Sequence, residues 1–152
     1  MNRKSTSLRM VTLLVTGLAL ALASCTGKAT SGTSSSGERA PGTVTVDILY
    51  LNHPPVLPVL ANIDQVLKAY GDKLAVTRHD FDTEEAQAFA KKKNISGHFP
   101  VVILINGSPT ANLGGRKVTF QSFPKGEGTG MIPDGDWSMA DLDGALKAAT
   151  AK

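Results

Sequence analysis

Asn52-His53-Pro54-Pro55-Val56 is the stretch whose reading decides the fold. It follows an apolar, β-branched run, Val44 to Leu51, and precedes Leu57 to Tyr70, whose apolar residues Val59, Leu60, Ile63, Val66, Leu67 and Tyr70 recur at helical spacing. Proline is not accepted deep in a helix but suits its first turn, so the helix is expected to begin at Leu57 or Pro58. Gly71 is expected to end it. A strand, a proline-bearing turn and a helix place the turn at the rim of a sheet. In open α/β sheets, ligands sit outside the carboxyl ends of the strands.

Downstream, Leu74 to Phe81 reads as a second strand. Asp82 and Glu85 read as a capping box opening a helix, with Ala86, Phe89 and Ala90 on one face and Asn94 as its C-cap. Pro100 begins a third strand, Val101 to Ile105, and Asn106-Gly107 is a hairpin signal. Thr110 to Leu113, Gly114-Gly115 and Lys117 to Phe123 read as further strand and turn. Pro124 to Asp136 is a Gly-rich loop, and Ser138 with Asp141 caps a last helix whose Leu142, Ala145, Leu146 and Ala149 face inward. The predicted order is β-α-β-α-β-β-α. Its helical crossover requires the first two strands to run parallel.

Upstream, the chain has a different character. Arg3, Lys4 and Arg9 precede an apolar stretch, Met10 to Leu22, too short to span a bilayer. Residues 1–24 are expected to be a secretory signal. Leu22-Ala23-Ser24-Cys25 resembles the lipobox of bacterial lipoproteins. The resemblance implies cleavage before Cys25, lipid on that residue and a membrane anchor on an exported protein. The alternative is an ordinary signal peptide cut nearby, with Cys25 left free. Residues 25–42 are rich in Ser, Thr and Gly and too poor in apolar groups to offset ordering. They read as a flexible tether with a reach of roughly 20–25 Å. The folded domain is expected over residues 43–152.

The net charge of +3 resides in that leader, which carries three bases and no acid. The remaining 13 bases meet 13 acids, so the composition shows no electrostatic footprint of nucleic-acid binding. Lys91-Lys92-Lys93 reads as a solvated helix face rather than a phosphate site. Cys25 is the only cysteine, so the chain has no second thiol for a disulfide within itself.

The element order resembles the thioredoxin-like fold over about residues 44 to 149: a three-layer α/β sandwich, its central mixed sheet flanked by helices, here with an enlarged loop before the last helix. His53-Pro54-Pro55-Val56 is similar to the family's Cys-Gly-Pro-Cys turn, keeping the proline at Pro55. Asp47 lies six residues before His53, as the family's buried aspartate does. Phe99-Pro100, opening the third strand, is similar to the family's cis-proline, although the loop Ile95 to Pro100 is one residue longer. Both cysteines are replaced, by His53 and Val56. The resemblance therefore implies fold and site location, and thiol–disulfide oxidoreductase activity is not expected. The family's backbone before the cis-proline pairs with extended peptide, and strand addition needs no thiol. A rim of His53, Pro54, Pro55, Val56, His98, Phe99 and Pro100 is thus the expected binding surface for an unidentified protein or peptide.

Three other readings stay open. No cofactor is required, but His53 and His98 form a candidate Cu or Zn pair; two ligands are too few for an ordinary structural zinc site. Asp47, His79, Met131 and Met139 are the residues available to add to them. His53 reads first as a plain rim residue and alternatively as a general base with Asp47 behind it; Asp47 itself reads equally as hydrogen-bonded to His53 or as sitting at the strand's exposed end. His79 reads as structural or exposed. Pro55 to Pro58 matches PxxP, a pattern this short turn geometry produces without any SH3-type partner. Gly126, Gly128 and Gly130 beside Lys125 lack the Gly-Lys-Ser/Thr helix start of a phosphate loop, so a flexible loop is expected there. Phe120, Phe123, Met131 and Trp137 read as core or, alternatively, as a docking patch.

Overall fold

The computed structural model describes residues 42–130 and 132–152. The expected signal segment, the tether, Cys25 and Met131 lie outside the described residues. Among the described residues, five strands and three α-helices follow in the order β1 (Val44–Tyr50), α1 (Leu57–Lys68), β2 (Leu74–Asp80), α2 (Glu84–Lys92), β3 (Val101–Ile105), β4 (Thr110–Leu113), β5 (Arg116–Thr119) and α3 (Met139–Thr150). A 3₁₀ turn, Gly71–Lys73, links α1 to β2. No helix among the described residues is long and apolar enough to cross a membrane.

The central sheet is mixed, with strand order β2-β1-β3. β1 and β2 are parallel, Val44 opposite Leu74 and Tyr50 opposite Asp80. β3 runs antiparallel to β1, Tyr50 opposite Val101 and Val46 opposite Ile105. β3 is buried at every position, as a run of five consecutive apolar residues requires. Asn106 and Gly107 both have positive φ, and Ile105 and Ser108 exchange backbone hydrogen bonds across them. That is the two-residue hairpin the Asn-Gly pair encodes. Gly114 and Gly115 make the equivalent turn between β4 and β5. Beyond β5 the chain returns beside β3: Ile103 N–H donates to the Phe120 carbonyl at 3.0 Å, and Ser122 N–H to Val101 at 2.9 Å.

Alternation along β1 separates two apolar clusters. Val44, Val46 and Ile48 join Val59, Ile63 and Leu67 of α1 and Leu142 and Leu146 of α3. Leu49, Val102 and Leu104 pack with Ala90 of α2. Helices α1 and α3 therefore cover one sheet face and α2 the other, the α/β arrangement the apolar spacing implies. Each fully buried Val, Leu or Ile contributes about 1.5–3 kcal/mol by leaving water.

Three local expectations need correction. α2 is capped by Thr83, whose hydroxyl accepts from Ala86 N–H at 3.2 Å; Asp82 lies one residue outside the helix, its own N–H bonded to the Asp80 carboxylate at 3.1 Å. A hydroxyl next to the carboxylate competes for the same role, and the extended backbone of Thr83 decides it. α1 ends at Lys68 with Ala69 as C-cap, before Gly71, whose φ of 54° serves the 3₁₀ turn instead. The 124–136 segment is fastened rather than open. Phe120, Phe123 and Trp137 are fully buried in the main cluster, so among the described residues they are core and not a docking patch. The Trp137 indole N–H donates to the Gln121 carbonyl at 3.1 Å. Gly126 and Gly128 N–H groups donate to the Asp134 carboxylate at 2.8 and 2.7 Å. Donors of the kind a phosphate would use are thus taken by an internal acid.

Candidate functional site

The β1–α1 turn is built by backbone hydrogen bonds: His53 N–H to Leu51 carbonyl and Val56 N–H to His53 carbonyl, both 2.9 Å. Leu57 is the first residue of α1 and Pro58 the second, so proline's missing donor falls among helix N–H groups that lack partners anyway. The turn presents His53, Pro54 and Pro55 to solvent, while Val56 is 2% exposed and belongs to the core. Val56 thus anchors α1 and is not available as a rim contact. Across the site, Leu51 N–H donates to the Pro100 carbonyl at 3.0 Å, tying the end of β1 to the start of β3. Pro100 is buried, Phe99 is half-buried against the α2-side cluster, and His98 is exposed. Of the seven expected rim residues, only His53, Pro54, Pro55 and His98 face solvent.

Asp47 does not stand behind His53. Its carboxylate lies 3.1 Å from Nε2 of His79, the neighbouring parallel strand having brought the two side chains to the α2 face. The His79 ring stacks on Phe89 of α2 with centroids 4.0 Å apart, and Lys93 Nζ lies 5.5 Å from the other aromatic's centre. Both Asp47 and His79 keep under one-fifth of their side-chain surface in water. Asp47 is therefore only partly buried, and with His79 it forms a structural pair; the Asp47–His53 hydrogen bond required of a base with a carboxylate behind it is absent. His53 instead has Asp82 as its acidic neighbour, Nε2 to Oδ2 at 3.9 Å, both side chains being more than half exposed. Among the described residues, no group of three or more His, Cys, Asp or Glu is assembled to hold a metal ion. Asp47 and His79 engage each other rather than the His53 and His98 pair.

Beside the turn, at the carboxyl ends of β1 and β2, lies a cavity of about 640 Å³. Leu51, Phe81, Ala90 and Ile95 supply its apolar surface. Asp82, Gln87, Lys91, Asn94, Ser96 and His98 supply its polar surface. Its shape follows from α2, because positions 87, 90, 91 and 94 recur at the spacing of one helix face. Asn94 leaves the helix in the left-handed region, φ 55°, turning the chain into the Ile95–His98 loop that closes the cavity. Gly97 has φ 120°, and a Cβ there would meet the Phe99 ring at 2.9 Å, so this loop requires glycine.

The turn residues and His98 were legible as strand-end positions. The α2 stripe was not, because Gln87, Lys91 and Asn94 read as an ordinary solvated helix face. Lys91 and Lys92 are both exposed, but only Lys91 of the two lines the cavity, and Lys93 is half-buried, so the lysine run is not uniform. The signal that would have found it is the pairing of that polar stripe with Phe81 and Ile95, two apolar residues just outside the ends of β2 and α2. No protein-family model matches the chain, and neither a curated protein nor a solved structure matches it.

Proposed function

We propose that the chain is a bacterial envelope lipoprotein, anchored through lipid on Cys25, whose thioredoxin-like domain binds protein or peptide and performs no thiol–disulfide exchange. The observation that carries this reading is the rim itself. His53, Pro54, Pro55 and His98 are exposed at the carboxyl end of the parallel strands, where an α/β sheet receives ligands, with Asp82 and a cavity beside them. The order β1-α1-β2-α2-β3 and the β2-β1-β3 arrangement agree with the thioredoxin-like reading. The single cysteine at position 25 leaves the turn without a sulfur nucleophile. Two assays test the proposal. The full chain is expected to leave the rate of insulin disulfide reduction by dithiothreitol unchanged, and acceleration would remove the redox-inactive reading. Wild type is expected in the membrane fraction and Cys25→Ser in the soluble fraction; equal partitioning would remove the lipid anchor.

A further inference from the structure

The cavity beside the rim is lined by one acid and one lysine, Asp82 and Lys91, that lie at opposite ends of α2. Asp82 immediately precedes Thr83, the N-cap of α2, and Lys91 lies in the last turn of the same helix. Such charges are ordinary at helix ends. What is added here is a hollow between them, floored by Leu51, Phe81 and Ile95. At 1.5 Å per residue, Lys91 lies roughly 12 Å along the axis from the N-cap Thr83, the residue that follows Asp82. Lys91 forms no ion pair with another described residue, and Asp82 has only the loose 3.9 Å approach of His53.

We propose that this cleft binds a short peptide with free ends, its ammonium group at Asp82, its carboxylate at Lys91 and an apolar side chain on the Leu51–Phe81–Ile95 floor. The proposal rests on the reading of this end of the sheet as a binding surface, and it names the ligand class. One acid balanced by one base favours a zwitterion over an anion or a cation. An extended tripeptide covers about 10 Å, whereas a single amino acid places its charges roughly one residue length apart and cannot reach both ends. The volume of about 640 Å³ lies in the range of small-ligand sites. The Gln87 amide donates to the Phe81 carbonyl at 3.3 Å, which fixes the side chain and leaves its oxygen free to accept a peptide N–H.

The test is a nuclear magnetic resonance titration of the full chain with Ala-Leu-Ala, in parallel with N-acetyl-Ala-Leu-Ala-amide. Saturable shifts are expected at Gln87, Lys91 and Ser96 with the free peptide. Blocking both ends is expected to weaken binding at least tenfold, and Asp82→Asn and Lys91→Gln about tenfold each, the size of one charge-assisted hydrogen bond. Equal affinity for free and blocked peptides would overturn the proposal, as would the absence of saturable shifts. Shifts confined to the turn at His53 and Val56, or binding of a long unfolded polypeptide without the tripeptide, would also overturn it while leaving the broader binding reading intact.

Discussion

Ser138 and Asp141 satisfy each other's backbone at the start of α3: the Ser138 hydroxyl accepts from Asp141 N–H at 3.2 Å, and the Asp141 carboxylate accepts from Ser138 N–H at 2.9 Å. Burial pushes the Asp141 carboxyl up, but the hydrogen bonds from Ser138 and the Arg116 guanidinium outweigh it and hold the group below the usual carboxylate range. Its contribution to stability is therefore present above the ordinary carboxylate pKa and is lost as pH falls through the lowered value. Asp141→Asn is expected to flatten that acid limb in denaturant titrations across pH, and Ser138→Ala to cost about 1 kcal/mol at neutral pH. Tyr70 titrates at the other extreme. Burial, together with its hydrogen bond to the Asp143 carboxylate at 2.7 Å, pushes its hydroxyl up to about 12. Stability from this phenol is whole below its ordinary value of 10.0 and disappears as pH rises through about 12. Alkaline unfolding should thus be less steep in Tyr70→Phe than in wild type, by circular dichroism. The α3 box was legible because both partners lie three residues apart in the sequence. The pairing of Asp47 with His79 was not, because it depends on strand register across 32 residues.

At the level of elements, the segment from Phe120 to Trp137 shows how a loop becomes core. Its Gly content suggests freedom, yet its backbone is clasped between the Asp134 carboxylate, the Trp137 indole and β3. Gly135 is the tightest point: a Cβ there would collide with the Gln121 carbonyl and lie 2.9 Å from the Trp137 ring. Trp137→Ala is expected to destabilise by about 3–5 kcal/mol, read from urea unfolding, because it empties a fully buried site and leaves a hydrogen-bond acceptor unmet. Gly135→Ala should approach that cost, since backbone rather than a flexible side chain must move. A cost under about 1 kcal/mol for Trp137→Ala would show that the segment does not close the core. Sequence periodicity located the regular elements because each repeats a pattern. This segment repeats none, and its order comes from side chains that bond backbone 6 to 16 positions away, Asp134 to Gly126 and Gly128 and Trp137 to Gln121.

Across the whole domain, the division into an α1/α3 face and an α2 face assigns separate tasks. The larger cluster holds Trp137, Phe120 and Phe123 and contributes most of the buried apolar volume. The smaller one, under α2, holds the Asp47–His79 pair's neighbour Phe89 and borders the cavity through Ala90 and Ile95. Emptying the cavity-side contacts should therefore affect ligand binding at a smaller cost to global stability than emptying the α3 side. The sheet itself adds an asymmetry. β3 has β1 on one side and the Phe120–Ser122 stretch on the other, whereas β2 has β1 alone among the described strands. In a parallel ladder, alternate residues of an outer strand direct their amides away from the neighbour. Deuterium uptake along Leu74–Asp80 should consequently come in an odd–even rhythm, one amide slow and the next fast, while Val101–Ile105 stays dark throughout. Among the described residues, β2 is thus a border of the central sheet at which an added strand would displace no internal pairing.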